Sequence, residues 1–192
     1  MELWLATGNR SKLIEFKTLL PSFEIHTQSE LSVFSPPPEN GKTFEENARI
    51  KARSLKAVKT GVWVIGEDSG LEVEGLGNLP GIHSARYAGP KAIDPENVAK
   101  LLKMLGLKSA NNRKAKFQCY MVIYSPDGRE SVINGTVEGS ISTKPIGTDG
   151  FGYDPVFIPD GETKTFAELG LTRKNQISHR AQAIRKLIEI IN

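Results

Sequence analysis

The sequence predicts an α/β protein, and three observations carry that prediction. Short β-branched or apolar runs, Leu3-Trp4-Leu5-Ala6 and Val62-Trp63-Val64-Ile65, are bounded by glycines and polar turns, as buried strands are. Three segments pair a capping residue with apolar positions at helical spacing: the stretches that follow Asn9, Thr43 and Ser178. Two long strand-like runs, Lys114–Tyr124 and Glu130–Ile141, are joined across Asp127-Gly128, a hairpin signal.

The bulk numbers narrow the class. At 192 residues the chain is one domain, or one domain with a lobe, with a substantial core. A hydrophobic content of 39% and a charged content of 24% fit a soluble globular protein and argue against disorder. A formal charge of +3 is too small to argue for a nucleic-acid binder. Cys119 is the only cysteine, so there is no intrachain disulfide and no cysteine-based zinc site. Its strand-like surroundings, Phe117 to Val122, make it a small core residue. No apolar stretch approaches membrane-spanning length, and Gly8-Asn9-Arg10 is not part of a secretory signal. A cytoplasmic protein with no membrane partner is the expectation.

The elements follow in order. The strand Leu3–Ala6 breaks at Thr7-Gly8-Asn9, and a helix runs from Arg10 to about Leu20 with Asn9 as N-cap and Leu13, Phe16 and Leu20 on its apolar face. A strand, a glycine turn and a helix present backbone N–H groups suited to phosphate, and Lys12 in the first turn adds a positive charge. Phe23–Thr27 is a short strand, and residues 28–42 form a loop that contains Glu39. Thr43 and Glu46 form a capping box for a helix that runs to about Thr60 and stops at Gly61. On it, Ala48, Ala52 and Leu55 pack inward, while Lys51 and Arg53 point elsewhere. The run Val62–Ile65 then ends in Glu67-Asp68-Ser69-Gly70. Adjacent strand side chains face opposite ways, so Glu67 and Asp68 do not share one role.

A glycine-rich segment from Gly75 to Gly89 carries Pro80, His83, Arg86 and Tyr87, of which Arg86 suits a phosphate or carboxylate. Asp94 as N-cap and Pro95 at N1 start a helix that ends near Leu105, before Gly106. Past the Lys114–Tyr124 and Glu130–Ile141 pair, Gly147 to Pro155 reads as a tight exposed loop. Phe151 and Tyr153 offer stacking faces there, and Asp149 and Asp154 a polar edge. A short strand, Val156–Ile158, follows. Thr172 to Arg180 is a basic loop that feeds the last helix, with Ser178 as N-cap and Ile184, Leu187, Ile188 and Ile191 as its stripe. His179 and Arg180 in the first turn oppose the helix dipole unless an anion sits beside them.

Taken together, these segments resemble the inosine/xanthosine triphosphate pyrophosphatases over nearly the whole chain. The likeness is carried by Thr7-Gly8-Asn9 with Lys12 and Glu15, Thr43-Phe44 with Glu46-Asn47-Ala48 and Lys51-Ala52, and Asp68-Ser69-Gly70-Leu71. It continues in Pro80-Gly81-Ile82 with Ser84-Ala85-Arg86, Gly150 to Pro155, and Ser178-His179-Arg180. One departure is Glu67, where many relatives have a second aspartate; the carboxylate is kept on a longer arm.

The resemblance implies a mixed, twisted sheet with flanking helices and two lobes around a central nucleotide-binding cleft, with residues 1–192 forming one pyrophosphatase domain. It also implies Mg²⁺, a homodimer, and hydrolysis of ITP, dITP or XTP to the monophosphate and pyrophosphate. By that resemblance Thr7, Gly8, Asn9, Arg10, Ser11 and Lys12 match a triphosphate-binding loop. Asp68 matches the proton acceptor and a metal ligand, Glu39 the second metal-holding carboxylate, and Ser69 a substrate contact. Phe151, Gly152, Tyr153 and Asp154 match a base-binding loop, and Lys174, His179 and Arg180 the remaining nucleotide contacts. Lys51 joins the phosphate-binding loop in stabilising the phosphates. Donors to O6 would accept hypoxanthine and xanthine and refuse adenine, with His179 and Arg180 as candidates for that choice.

Two alternatives stay open at this level. One is a related septum-inhibitor-type pyrophosphatase acting on pyrimidine or modified nucleotides. The other is a nucleic-acid-binding module built on the basic C-terminal segment and the exposed aromatics, against which the small net charge and the carboxylates speak; no stable nucleic-acid complex is expected.

Overall fold

Strand β1 (Glu2–Ala6) is apolar at four consecutive positions because both of its faces are covered: Leu3 and Leu5 enter one core, Trp4 and Ala6 another. This computed structural model describes residues 1–192. After β1 come α1 (Arg10–Leu19), β2 (Glu24–Thr27), α2 (Phe44–Lys56), β3 (Trp63–Val73), β4 (Leu79–Pro80) and α3 (Asp94–Lys108). Then follow β5 (Lys114–Tyr124), β6 (Glu130–Ile141), β7 (Phe157–Pro159), α4 (Phe166–Ile177) and α5 (His179–Ile191). The strands pair in the order β2-β1-β3-β5-β6-β7, with β4 on β3. Parallel pairs (β1 with β2 and with β3) and antiparallel pairs (β3 with β4, β6 with β7) make the sheet mixed.

The chain forms two compact units. The first comprises Met1–Asp68, Cys119–Asn134 and Gln182–Asn192. It has one core around Leu5, Phe16, Ile65, Cys119, Met121 and Leu187, and a second around Trp4, Ala48, Ala52, Leu55, Val64 and Val122. Cys119 is fully buried there, as its strand context predicts. The second unit comprises Ser69–Gln118 and Gly135–Ala181. Its core gathers Leu71, Val73, Leu101, Leu105, Phe117, Phe157 and Phe166. No helix is long and apolar enough to cross a membrane.

Several boundaries differ from the sequence expectation. Helix α2 ends at Lys56 rather than near Thr60, and α3 continues through Gly106 to Lys108. Thr43 caps α2 as expected, but the Glu46 carboxylate reaches back to the Lys42 N–H, one residue before the cap. Asp94 is not the N-cap of α3: Ile93 holds that position, and the Asp94 carboxylate accepts the Gly152 N–H at 2.7 Å instead. The segment expected as a basic loop, Thr172–Ile177, is the second half of α4, which bends at Gly170 (φ 72°).

On β2, His26 stacks on Trp4 at 4.9 Å, and its Nδ1 lies 2.8 Å from the Glu30 carboxylate. The hydrogen bond to Glu30 is the largest influence on His26 and raises its pKa above 6.5; the same bond holds Glu30 below 4.5. The histidine contribution is complete below 6.5 and is lost as pH rises through its folded value; the glutamate contribution is complete above 4.5 and is lost as pH falls through its folded value. The stability difference between wild type and Glu30→Gln should therefore peak near about pH 5–6 and shrink toward about pH 8 and pH 3. Both groups are partly exposed, so the peak stays under about 1 kcal/mol. Urea unfolding across that range reads it, and a pH-independent difference would count against the pair.

Candidate active site

Strand β3 runs on to Val73, so Glu67 and Asp68 sit within a strand and not at its end, as Val62–Ile65 alone predicts. The alternation of side chains still separates their roles. Val64, Gly66 and Asp68 share the face toward α2, while Ile65 and Glu67 face the core of α1 and α5. Gly66 makes the first arrangement possible. A Cβ there would lie 2.1 Å from the Ala48 carbonyl oxygen and 2.5 Å from the Ala52 nitrogen, so only glycine lets α2 approach β3 this closely.

That approach delivers two α2 side chains to one carboxylate. Lys51 Nζ donates to Asp68 Oδ1 at 2.8 Å, and Asn47 Nδ2 donates to Oδ2 at 3.2 Å. Glu39, in the loop before α2, lies 3.5 Å from the same Lys51 Nζ. Burial is the largest influence on Asp68 and raises its pKa above the usual carboxylate value, against the lowering pull of Lys51 and Lys12. Burial pulls Lys51 down, but the charges of Asp68, Glu39 and Glu67 outweigh it and hold its pKa above the ordinary lysine value. The two directions are compatible: the lysine feels the charges of three carboxylates, two of them in contact with it, whereas Asp68 loses its water and also feels the charge of Glu39. A buried carboxylate of raised pKa is a better proton acceptor than a solvated one.

Glu67 takes the opposite face. Its Oε2 accepts from Lys12 Nζ at 2.7 Å, and its Oε1 lies 3.4 Å from Cys119 Sγ. Asn9 caps α1 through the Lys12 N–H, and Thr7 Oγ1 accepts the Asn9 N–H, both at 3.1 Å. Gly8, Asn9 and Arg10 are exposed at this turn, and Ser11 and Lys12 are half-buried. The predicted strand–turn–helix is thus formed, with Lys12 held toward Glu67. Arg53, the other cation considered on α2, bonds Tyr124 Oη and pairs with Glu130 instead.

The other unit holds the remaining predicted residues. Asp154 is 1% exposed; its Oδ2 accepts the Phe151 N–H at 2.9 Å and Lys174 Nζ at 2.5 Å. Lys174 Nζ lies 4.5 Å from the Phe151 ring centre, and the Arg180 guanidinium lies 5.8 Å from it. Arg180 also donates to Ser69 Oγ at 3.0 Å. His179 stacks on Phe117 at 4.8 Å, nearly parallel. Ser178 caps α5 through the Ala181 N–H at 3.2 Å, as predicted. The loop is less open than its composition predicts. Tyr153 is buried and donates from its hydroxyl to the Ser84 carbonyl, and burial raises its pKa well above the usual phenol value. Only Phe151 keeps a half-exposed ring in this loop.

Asn47, Asp94 and Phe117 were not among the predicted site residues. Asn47 carries a sequence signal: asparagine inside a helix is unfavourable unless its side chain has work of its own. Asp94 carries none, because its partner is 58 residues away.

Comparison with known proteins identifies full-length relatives. A protein named dITP/XTP pyrophosphatase from Bdellovibrio bacteriovorus is 59% identical over 98% of this chain and 96% of its own length. One of the same name from Bacillus licheniformis is 44% identical over 100% of this chain and 98% of its own. Among solved structures, a Ham1 protein from Staphylococcus aureus superposes with a TM-score of 0.87 at 41% identity, covering 100% of this chain and 98% of that one. A HAM1 protein from Coxiella burnetii gives 0.88 at 39% identity, with the same coverage. Residues 3–190 match the Ham1 family, and the chain belongs to it.

Proposed function

We propose that the chain, acting as a single domain over residues 1–192, hydrolyses ITP, dITP and XTP to the monophosphate and pyrophosphate, so that deaminated purines stay out of DNA and RNA. The observation that carries this reading is the Asp68 carboxylate, buried and of raised pKa, fixed between Lys51 and Asn47. The names of the relatives support it and favour purine substrates over the pyrimidine and nucleic-acid alternatives. A cytoplasmic homodimer belongs to the same reading.

The donor set fits Mg²⁺. Asp68 and Glu39 bring hard carboxylate oxygens toward one cation, the Lys51 ammonium, and no third acidic, histidine or cysteine ligand joins them. A site with one or two carboxylates, completed by phosphate oxygens and water, is the usual Mg²⁺ arrangement. When bound there, Mg²⁺ would supply charge neutralisation on the phosphates. Asp68 orients the attacking water and accepts its proton as the oxygen attacks the α-phosphorus and the bond to pyrophosphate breaks. Lys51 and the Thr7–Lys12 turn stabilise the phosphate charge, the latter through Lys12 and first-turn N–H groups. Phe151 offers the stacking face for the base. Ser69, Lys174, His179 and Arg180 supply polar contacts, with His179 and Arg180 as the groups that read its 6-position. Gly152, Tyr153 and Asp154 hold the Phe151 loop in shape.

Separate incubations with Mg²⁺ and ITP, XTP, GTP or ATP test this. Monophosphate and pyrophosphate from ITP and XTP, with GTP and ATP largely spared, are expected. Diphosphate plus orthophosphate would reject the placement of Asp68 at the α-phosphorus, and no hydrolysis of any of the four would reject the activity.

A further inference from the structure

We propose that Asn47 is a positioning residue that ties the catalytic carboxylate Asp68 to the loop bearing Glu39, so that one buried amide sets the placement of both. The proposal rests on the roles given above to Asp68 and Glu39. Asn47 is 0% exposed and lies in the second turn of α2. Its Nδ2 donates to Asp68 Oδ2 at 3.2 Å, and its Oδ1 accepts the Gly41 N–H at 2.9 Å. The orientation of the amide is thereby fixed. Turned over, it would set an oxygen against a carboxylate and an NH₂ against an N–H.

Only an amide of this length offers a donor on one side and an acceptor on the other. Aspartate keeps the acceptor for Gly41 but sets a second carboxylate against Asp68. Leucine fills the same space and makes neither bond. The loop side is built for close contact as well. A Cβ at Gly41 would lie 2.7 Å from Asn47 Oδ1 and 2.9 Å from its backbone nitrogen, so a larger residue would push the loop off the helix. The adjacent Lys42 N–H is bonded to Glu46 at 2.6 Å, which secures the same end of the loop. Glu39 stands two residues before Gly41 and 3.5 Å from Lys51, the cation that Asp68 also binds. Asn47 and Lys51 are one helical turn apart, at i and i+4, so a single face of α2 grips Asp68 by both oxygens. Losing a hydrogen-bond partner that orients a ligand or catalytic group lowers activity or metal affinity by about 10–100-fold.

The test compares Asn47→Leu, Asn47→Asp and Asp68→Asn in the full chain. It measures kcat and KM for XTP with Mg²⁺, Mn²⁺ affinity of the nucleotide-free protein by electron paramagnetic resonance, and hydrogen exchange of the Gly41 amide by NMR. Asn47→Leu should speed Gly41 exchange at least about tenfold, lower kcat about 10–100-fold and weaken Mn²⁺ binding, with KM within about threefold. Asn47→Asp should keep Gly41 protected yet lose kcat as severely. That split is what a purely structural role would not produce. Wild-type kcat in Asn47→Asp, or unchanged Gly41 exchange in Asn47→Leu, overturns the proposal. If Asn47→Leu does not fold, Asn47→Asp decides through kcat against Gly41 protection. If Asp68→Asn turns over normally, the catalytic reading has failed and the positioning role falls with it; if only the Asn47 variants stay active, the reading stands and this inference alone is wrong.

Discussion

Replacing Asp68 with asparagine is expected to lower turnover of ITP and XTP by about 10²–10⁴-fold, the range for loss of a general base, while the protein stays folded. The fold should survive because two effects oppose each other. Burial makes the Asp68 charge costly, as its raised pKa indicates, so neutralising it relieves that cost. The same change removes a counter-charge from Lys51, which keeps Glu39 at 3.5 Å. The net shift should stay within about 1 kcal/mol, roughly 2–4 °C in Tm for a chain of this size. Asp68→Glu provides the second test, since it keeps the charge but shifts the oxygens by one methylene out of register with Lys51 and Asn47. It should also lose most of its turnover, because placement matters as much as charge. Near-normal rates in both variants would remove Asp68 from the mechanism.

What the sequence reveals and what it hides follow a physical line. β5 and β6 are legible because their strand-like runs and the Asp127-Gly128 turn are local features. α1 with its Asn9 cap and the first turn of α5 with Ser178 are legible because a cap and its N–H partner are three residues apart. β3 looks shorter than it is, since Glu67, Asp68 and Ser69 read as a turn unless their partners are known. Those partners lie far away, at Lys12, Lys51 and Arg180. α4 is hidden for a related reason. Gly170 interrupts its helical pattern, and Arg173-Lys174 looks solvated, yet Lys174 is 2% exposed because Asp154 meets it. Glu39 lies on a polar loop with nothing local to distinguish it; only the family resemblance singles it out.

Gly66 shows how a backbone choice becomes a chemical one. It interrupts a β-branched run, which by local propensity weakens a strand. The missing side chain lets α2 close on β3, and that closure puts Lys51 and Asn47 on Asp68. On the other side of the strand, the buried Glu67 pairs with the half-buried Lys12. One strand thus carries two carboxylates with separate environments: one paired with α1, the other held by α2.

Lys174→Met is expected to be the most destabilising of the site substitutions, by about 3–5 kcal/mol or roughly 6–20 °C in Tm, with activity falling alongside. Methionine fills similar volume beside Phe151 and Phe166, so the loss is electrostatic: Asp154, 1% exposed, gives up its lysine at 2.5 Å. A buried pair contributes little net stability over an apolar pair of the same shape, but breaking one half is costly. Asp154→Asn removes the negative charge facing the lysine, although its oxygen can still accept the Phe151 N–H. The double variant should therefore be less destabilised than the sum of the two singles, by about 1–3 kcal/mol of coupling. The loop geometry adds a functional consequence. Gly150 has φ 81°, and a Cβ there would lie 2.1 Å from Asp154 Oδ2, so the carboxylate turns back onto Phe151 only over a glycine. When the lysine is lost, the Asp154 carboxylate has reason to seek water, and the Phe151 ring loses the nearer of its two cations and its anchor. Thermal unfolding of the two single variants and the double measures the coupling, and kcat/KM for XTP measures the loop. If Lys174→Met melts within about 1 kcal/mol of wild type, this buried ion pair does not hold the loop.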